Sequence, residues 1–142
     1  MSSQPPSSAQ ILERAMEFEM ISVEQLQCVL QHPPPDLVLL DVRTPDEHRQ
    51  GVIPGSRLFP CDHDLVNLEN TRIFAASFAT RFRPEAFDPE NRYVLICRTG
   101  PRTAIALEAF LHHNLAACEL LGGVTAWRQR GLQLQPPAAD IE

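Results

Sequence analysis

The chain contains no lysine: all twelve basic residues are arginine. Schiff-base chemistry and the phosphate-loop lysine are therefore excluded, and arginine is the only permanent cation available to an anionic ligand. Cysteine is sparse, at positions 28, 61, 97 and 118, and no two stand in CxxC spacing. Zinc and dithiol redox motifs are thus not indicated, and no metal or cofactor is expected. Cys61 and His63 alone are too few for a metal site. Acidic residues outnumber basic ones, giving a net charge of −6, which argues against a broad nucleic-acid-binding face. No apolar run approaches the length needed to span a membrane. The opening MSSQPPSSAQ lacks the basic and apolar segments of a secretory signal. The expectation is a cytoplasmic protein with free thiols that binds neither nucleic acid nor membrane.

The 142 residues suffice for one domain with a real core. Residues 1–9 are Ser/Pro/Gln-rich and expected to be disordered; 10–134 read as a single domain, and 135–142 as a Pro/Ala tail. Helices are predicted over 10–18, 22–31, 73–82, 102–113 and 125–130. A further helix opens at Thr44, where Thr44, Pro45 and Glu47 supply an N-cap, an N1 proline and an N3 acid. Strands are predicted at 20–22, 37–40, 56–59, 93–96 and 119–121. The Leu37–Leu40 run (LVLL) is apolar throughout, the pattern of a strand buried on both faces. Strands alternating with helices imply an α/β protein with a parallel sheet covered on both sides. Such sheets bind ligands at the carboxyl ends of their strands.

Cys97 stands at one of those ends. The segment VLICRTGPRT runs from an apolar strand through a short polar loop into a helix. Backbone N–H groups at such a turn favour an anion, and a thiol there is favoured as its reactive thiolate. The candidate donors are the N–H groups of Arg98, Thr99, Gly100, Arg102 and Thr103, with the guanidinium groups of Arg98 and Arg102. A bland alternative is a buried, inert cysteine, as free cysteines commonly are.

Three separated motifs resemble one family, the rhodanese-like domains. LLDVRTPDEHRQGVIPGS is similar to the family's Asp-x-Arg stretch with its following Glu and Gly-His-Ile-Pro-Gly-Ala. CRTGPRT resembles the active-site loop Cys-x-x-Gly-x-Arg-Ser/Thr, and LLGGVTAW the C-terminal Gly-Gly with tryptophan behind. The match covers residues 20–134, in order and spacing. Val52 stands where the family usually has His. Pro101 sits inside the loop and removes one N–H donor.

The resemblance implies a three-layer α/β/α fold with a five-stranded parallel sheet of order 3-2-4-5-1. It implies a sulfurtransferase in which Cys97 carries sulfur as a persulfide, with Arg98, Thr99, Gly100, Arg102 and Thr103 as substrate-binding residues. The donor would be a small sulfur-containing anion such as thiosulfate, and the acceptor cyanide, a thiol or a protein. Thr103 would donate a hydrogen bond to the outer sulfur. Four residues separate Cys97 from Arg102; related phosphatases and arsenate reductases carry one more, which makes room for a tetrahedral oxyanion. A persulfide carrier serving a protein partner is the second reading, and a phosphatase-like or arsenate-reducing enzyme the third.

The remaining residues are read structurally. Asp41 is expected to bond the turn that follows it, and Arg43 to pair with Glu47, beside the site. Cys28, Cys118 and Trp127 read as core. Cys61 is a loop thiol on the carboxyl edge, with resolution of the persulfide as its sharper reading. Segment 62–91 borders the pocket mouth, and its role is not legible from sequence.

Overall fold

The computed structural model describes residues 4–59, 71–98 and 101–137. Five parallel strands form one sheet: β1 (Met20–Ile21), β2 (Leu37–Asp41), β3 (Ser56–Leu58), β4 (Arg92–Ile96) and β5 (Ala116–Leu120). Their spatial order is β1-β5-β4-β2-β3, the order the resemblance implies. Among the described residues six α-helices accompany them: α1 (Ser8–Phe18), α2 (Val23–Gln31), α3 (Pro45–Arg49), α4 (Thr71–Arg81), α5 (Pro101–His112) and α6 (Gly123–Gln129).

Alternation along the strands divides the core into two layers. Val38, Leu40, Tyr93, Leu95 and Ala117 face α4 and α5, with Phe74, Phe78, Phe82 and Phe110. Leu39, Val94, Ile96, Cys118 and Leu120 face α1, α2 and α6, with Leu12, Leu26 and Trp127. Every residue of β2 and β4 after the first is buried, which explains why these strands read as continuous apolar runs. The first layer is mainly aromatic. Phe82 lies 5.3 Å from Phe78, 5.5 Å from Phe87 and 5.2 Å from Phe110, centroid to centroid.

Three helices begin with the same device. Ser7, Ser22 and Thr44 each accept from the N3 backbone N–H, while Gln10, Gln25 and Glu47 reach back to the cap N–H. The first of these starts α1 at Ser8, two residues before the predicted start, because Ser7 and Gln10 complete a box inside the Ser/Pro-rich segment. The fifth strand starts at Ala116, earlier than predicted, since parallel pairing with Arg92 and Tyr93 draws Ala116 and Ala117 into the sheet. Gln135, placed in the tail by sequence, bridges Val52 in both directions at 2.8 Å. Cys28 is exposed, correcting its assignment to the core: it lies on the outer face of α2, whose inner face is Val23, Leu26 and Val29. Cys118 and Trp127 are buried as expected. No helix of the described residues is long and apolar enough to cross a membrane.

Candidate active site

The parallel register brings three segments to the carboxyl edge. Asp41, the last residue of β2, pairs with Ile96, the last of β4, so the turn after β2 lies beside Cys97. Val42 N–H donates to the Ile96 carbonyl at 2.8 Å and locks the two ends together. From the other side, the start of α6 closes on the same loop. Val124 N–H donates to the Cys97 carbonyl at 2.9 Å, and Thr125 N–H to the Arg98 carbonyl at 3.0 Å.

Gly123 makes that approach possible. Its φ is +60°, and a Cβ there would sit 2.3 Å from the Cys97 carbonyl oxygen and 2.6 Å from that of Arg98. Only glycine meets both requirements without strain. Sequence reasoning placed the Gly-Gly pair in a motif but assigned it no role; the second glycine is the seat of the cysteine loop.

Cys97 is fully buried. Its Sγ lies 3.8 Å from Thr103 Oγ1, with the thiol as donor. The Thr103 hydroxyl is also buried and gives its own hydrogen to Glu119 Oε1 at 2.8 Å. In the resting site Thr103 therefore accepts from Cys97 Sγ. Glu119, on β5, was not singled out by sequence; a carboxylate at the penultimate position of a strand gives no local signal.

The charged residues pair differently from the prediction. Arg43 does not pair with Glu47. Its Nε and Nη2 donate to Asp41 Oδ1 and Oδ2 at 3.0 and 2.8 Å, and Nη2 also donates to the Gly51 carbonyl at 2.7 Å. Asp41 bonds the turn as expected, accepting from Arg43 N–H at 3.0 Å, and further accepts from His48 Nδ1 at 3.0 Å. All three side chains are buried. Burial alone would raise the Asp41 pKa, but the hydrogen bonds from His48 and Arg43 outweigh it and hold the carboxyl below its usual range.

Glu47 instead takes Arg102. Nη1 and Nη2 donate to Oε1 and Oε2 at 2.8 and 3.1 Å, across 55 residues of chain. Burial opposes ionisation of Glu47, yet the bonds from Arg102 and Thr44 prevail and lower its pKa. Burial likewise opposes the Arg102 charge; Glu47 more than offsets this, and the pKa is raised. Glu47 is thus both the reciprocal half of the α3 capping box and the counter-ion of a loop arginine.

Arg102 and Thr103 lie in the first turn of α5, where backbone N–H groups have no partner within the helix. Thr99, Gly100 and Cys61 lie outside the described residues. Arg98 is exposed and lines a cleft of about 620 Å³ with Gln50, Thr125, Arg128 and Gln133; Cys97 does not line it. Among the described residues no group of three or more His, Cys, Asp or Glu is arranged to hold a metal ion.

A buried thiol between a parallel strand and a helix N-terminus, framed by paired arginines, defines a cysteine-loop α/β protein. Residues 22–130 match the model of the rhodanese-like domain, and the chain belongs to that family. A sulfurtransferase of Allochromatium vinosum is 30% identical over 104 residues, covering 72% of this chain and 81% of that protein. The adenylyltransferase and sulfurtransferase MOCS3 of Drosophila ananassae is 27% identical over 116 residues, 79% of this chain but 23% of that longer protein. Among solved structures, a rhodanese-like domain protein of Staphylococcus aureus superposes with TM-score 0.62 at 23% identity, covering 84% of this chain and 99% of that one. A Rhodopseudomonas palustris protein described as a possible tyrosine phosphatase superposes with TM-score 0.59 at 22% identity, over 95% and 98% of the two chains. At these identities the structural likenesses speak for the fold.

Proposed function

We propose that the protein is a sulfurtransferase that moves sulfane sulfur from a thiosulfate-like donor to a thiophilic acceptor through a persulfide on Cys97. The observation that carries this reading is the placement of Cys97 directly after β4, with three residues between it and α5, in a chain of the rhodanese-like family. The thiolate attacks the outer sulfur of the donor. The donor's sulfur–sulfur bond breaks, and its electron pair leaves on sulfite. A cyanide or thiolate acceptor then attacks the outer sulfur of the persulfide, and the Cys97 thiolate departs with the bonding pair. The N–H groups of Arg102 and Thr103 at the start of α5 would face the sulfur anion. Arg98, Thr99 and Gly100 complete the loop, and Arg102 shapes it through its pair with Glu47. Asp41 and Arg43 hold the neighbouring turn. The four-residue spacing from Cys97 to Arg102 favours sulfur transfer over phosphate or arsenate chemistry.

Incubation with thiosulfate followed by intact mass measurement tests the reading. Wild type is expected to gain one sulfur atom and Cys97→Ser none. Subsequent cyanide should release thiocyanate and restore the original mass. Loading with negligible turnover would instead favour a carrier that serves a protein partner. Absence of both adduct and thiocyanate would overturn the thiosulfate reading.

A further inference from the structure

The hydroxyl of Thr103 joins two groups that the proposed reaction does not otherwise connect. Its oxygen accepts from the Cys97 thiol at 3.8 Å, and its hydrogen goes to Glu119 Oε1 at 2.8 Å. A hydroxyl has one hydrogen to give. While Glu119 holds that hydrogen, Thr103 presents a lone pair to the sulfur, an arrangement that suits a thiol and repels a sulfur anion. The carboxylate itself stands on the same α5-facing side of the sheet, one hydroxyl away from Sγ.

We infer that Glu119 is a positioning residue that restrains Cys97: through Thr103 it orients the hydroxyl away from the sulfur and lowers the nucleophilicity of the resting thiol. Sulfur loading then requires the Thr103 hydroxyl to turn from Glu119 to the sulfur. This rests on the reading of Cys97 as the sulfur-bearing residue, but its test needs no sulfur donor. Other described charged groups surround the pair. Arg102 on α5 favours an anionic sulfur and is itself neutralised by Glu47 on α3. Asp41 on β2 is engaged by Arg43 and His48. Cys118 precedes Glu119 on β5 and points to the opposite layer. Glu19, before β1, meets Glu119 through its backbone carbonyl, which accepts from the Glu119 N–H at 3.2 Å. Among the described residues the hydrogen-bonded path that reaches the sulfur runs from Glu119 through Thr103.

The measurement is the rate of Cys97 carboxamidomethylation by iodoacetamide, read by peptide mass, across pH 5–9 in wild type, Glu119→Gln and Glu119→Asp. Gln keeps an acceptor for Thr103 but removes the charge; Asp keeps the charge but is one methylene short of the hydroxyl. Both are expected to react faster at pH 7, Gln by about tenfold, and the Gln profile should move to lower pH. In a Thr103→Val background, the effect of Glu119→Gln should shrink by more than half. A structural role would leave the pH profile in place. A base role would slow alkylation in Glu119→Gln. Either result, or an undiminished effect in the valine background, overturns the proposal. Failure of thiosulfate loading in wild type would count against the sulfurtransferase reading and leave this test intact.

Discussion

Replacing Glu47 with glutamine removes one charge from a pair that is largely out of water. The Arg102 side chain is 7% exposed and that of Glu47 24%, and two hydrogen bonds of 2.8 and 3.1 Å join them. Removing one partner of a fully buried ion pair costs about 3–5 kcal/mol, mostly from the charge left behind. The residual exposure of Glu47 lets water take up part of that charge, and the glutamine oxygen remains an acceptor for Thr44 N–H. A loss of about 2 kcal/mol is therefore expected for Glu47→Gln. Glu47→Ala also breaks the capping box and should cost about 1 kcal/mol more. Urea unfolding at pH 7 measures both, and a double-mutant cycle with Arg102→Met should give a coupling of about 1–2 kcal/mol. The pH dependence has a definite sign. The Glu47 pKa is lowered in the folded state, so its contribution is present above the ordinary carboxylate value and is lost as pH falls through the lowered one. Asp41, also lowered, acts in the same window. Glu47→Gln should accordingly flatten part of the acid limb of the stability curve and leave the Asp41 part. A stability within about 0.5 kcal/mol of wild type, with no coupling to Arg102, would refute the reasoning.

Gly123→Ala would drive a Cβ to 2.3 Å from the Cys97 carbonyl oxygen at a φ of +60°, so a loss of at least ~2 kcal/mol is expected. The displaced loop should also lose sulfur loading, whereas Gly131→Ala, at a φ of +80° but with nothing within 4 Å of its Cβ, carries backbone strain without that clash and should still load. Cys118, with its pKa pushed up to about 12 by burial and by Glu119, should resist alkylation in the native state at pH 9 and react on unfolding. Its raised pKa also means that stability is lost as pH rises past 9 towards 12, a decline that Cys118→Ala should reduce.

What the sequence made legible is what chain-local physics specifies. The apolar run Leu37–Leu40 becomes a fully flanked central strand, and Thr44-Pro45-Asp46-Glu47 opens α3 as its cap chemistry requires. The five-strand order came through the resemblance, since several orders are compatible with the same alternation. One miss is local and the others are tertiary. Ser7 and Gln10 form the same box as Ser22 and Gln25, but a Ser/Pro-rich composition suggested disorder, and the box prevailed. Arg43 and Glu47 are four residues apart and invite a local pair. The sheet register instead places Glu47 against Arg102 and leaves Arg43 to Asp41. Thr103 and Glu119 meet only because α5 returns over β5, so nothing in the fifteen intervening positions announces the contact.

The absence of lysine acquires a structural meaning from these pairs. Arg43 reaches Asp41 through two nitrogens and still donates to the Gly51 carbonyl. Arg102 meets both oxygens of Glu47, and Arg92 both oxygens of Asp36 at 2.8 and 3.1 Å. Each contact uses the planar fork of the guanidinium, which a lysine ammonium cannot present. The three pairs tie the start of β4 to the segment before β2, the end of β2 to the turn after it, and α3 to the start of α5. Arg43, Arg92 and Arg102 therefore serve as struts. Arg43 and Arg102 are each paired with a carboxylate, so in the proposed reaction part of the attraction for a sulfur anion would fall to the N–H groups in the first turn of α5. Those donors cost no reorganisation when the anion forms. This shifts the expectation drawn from composition alone: Arg43 and Arg102 are first of all partners of carboxylates.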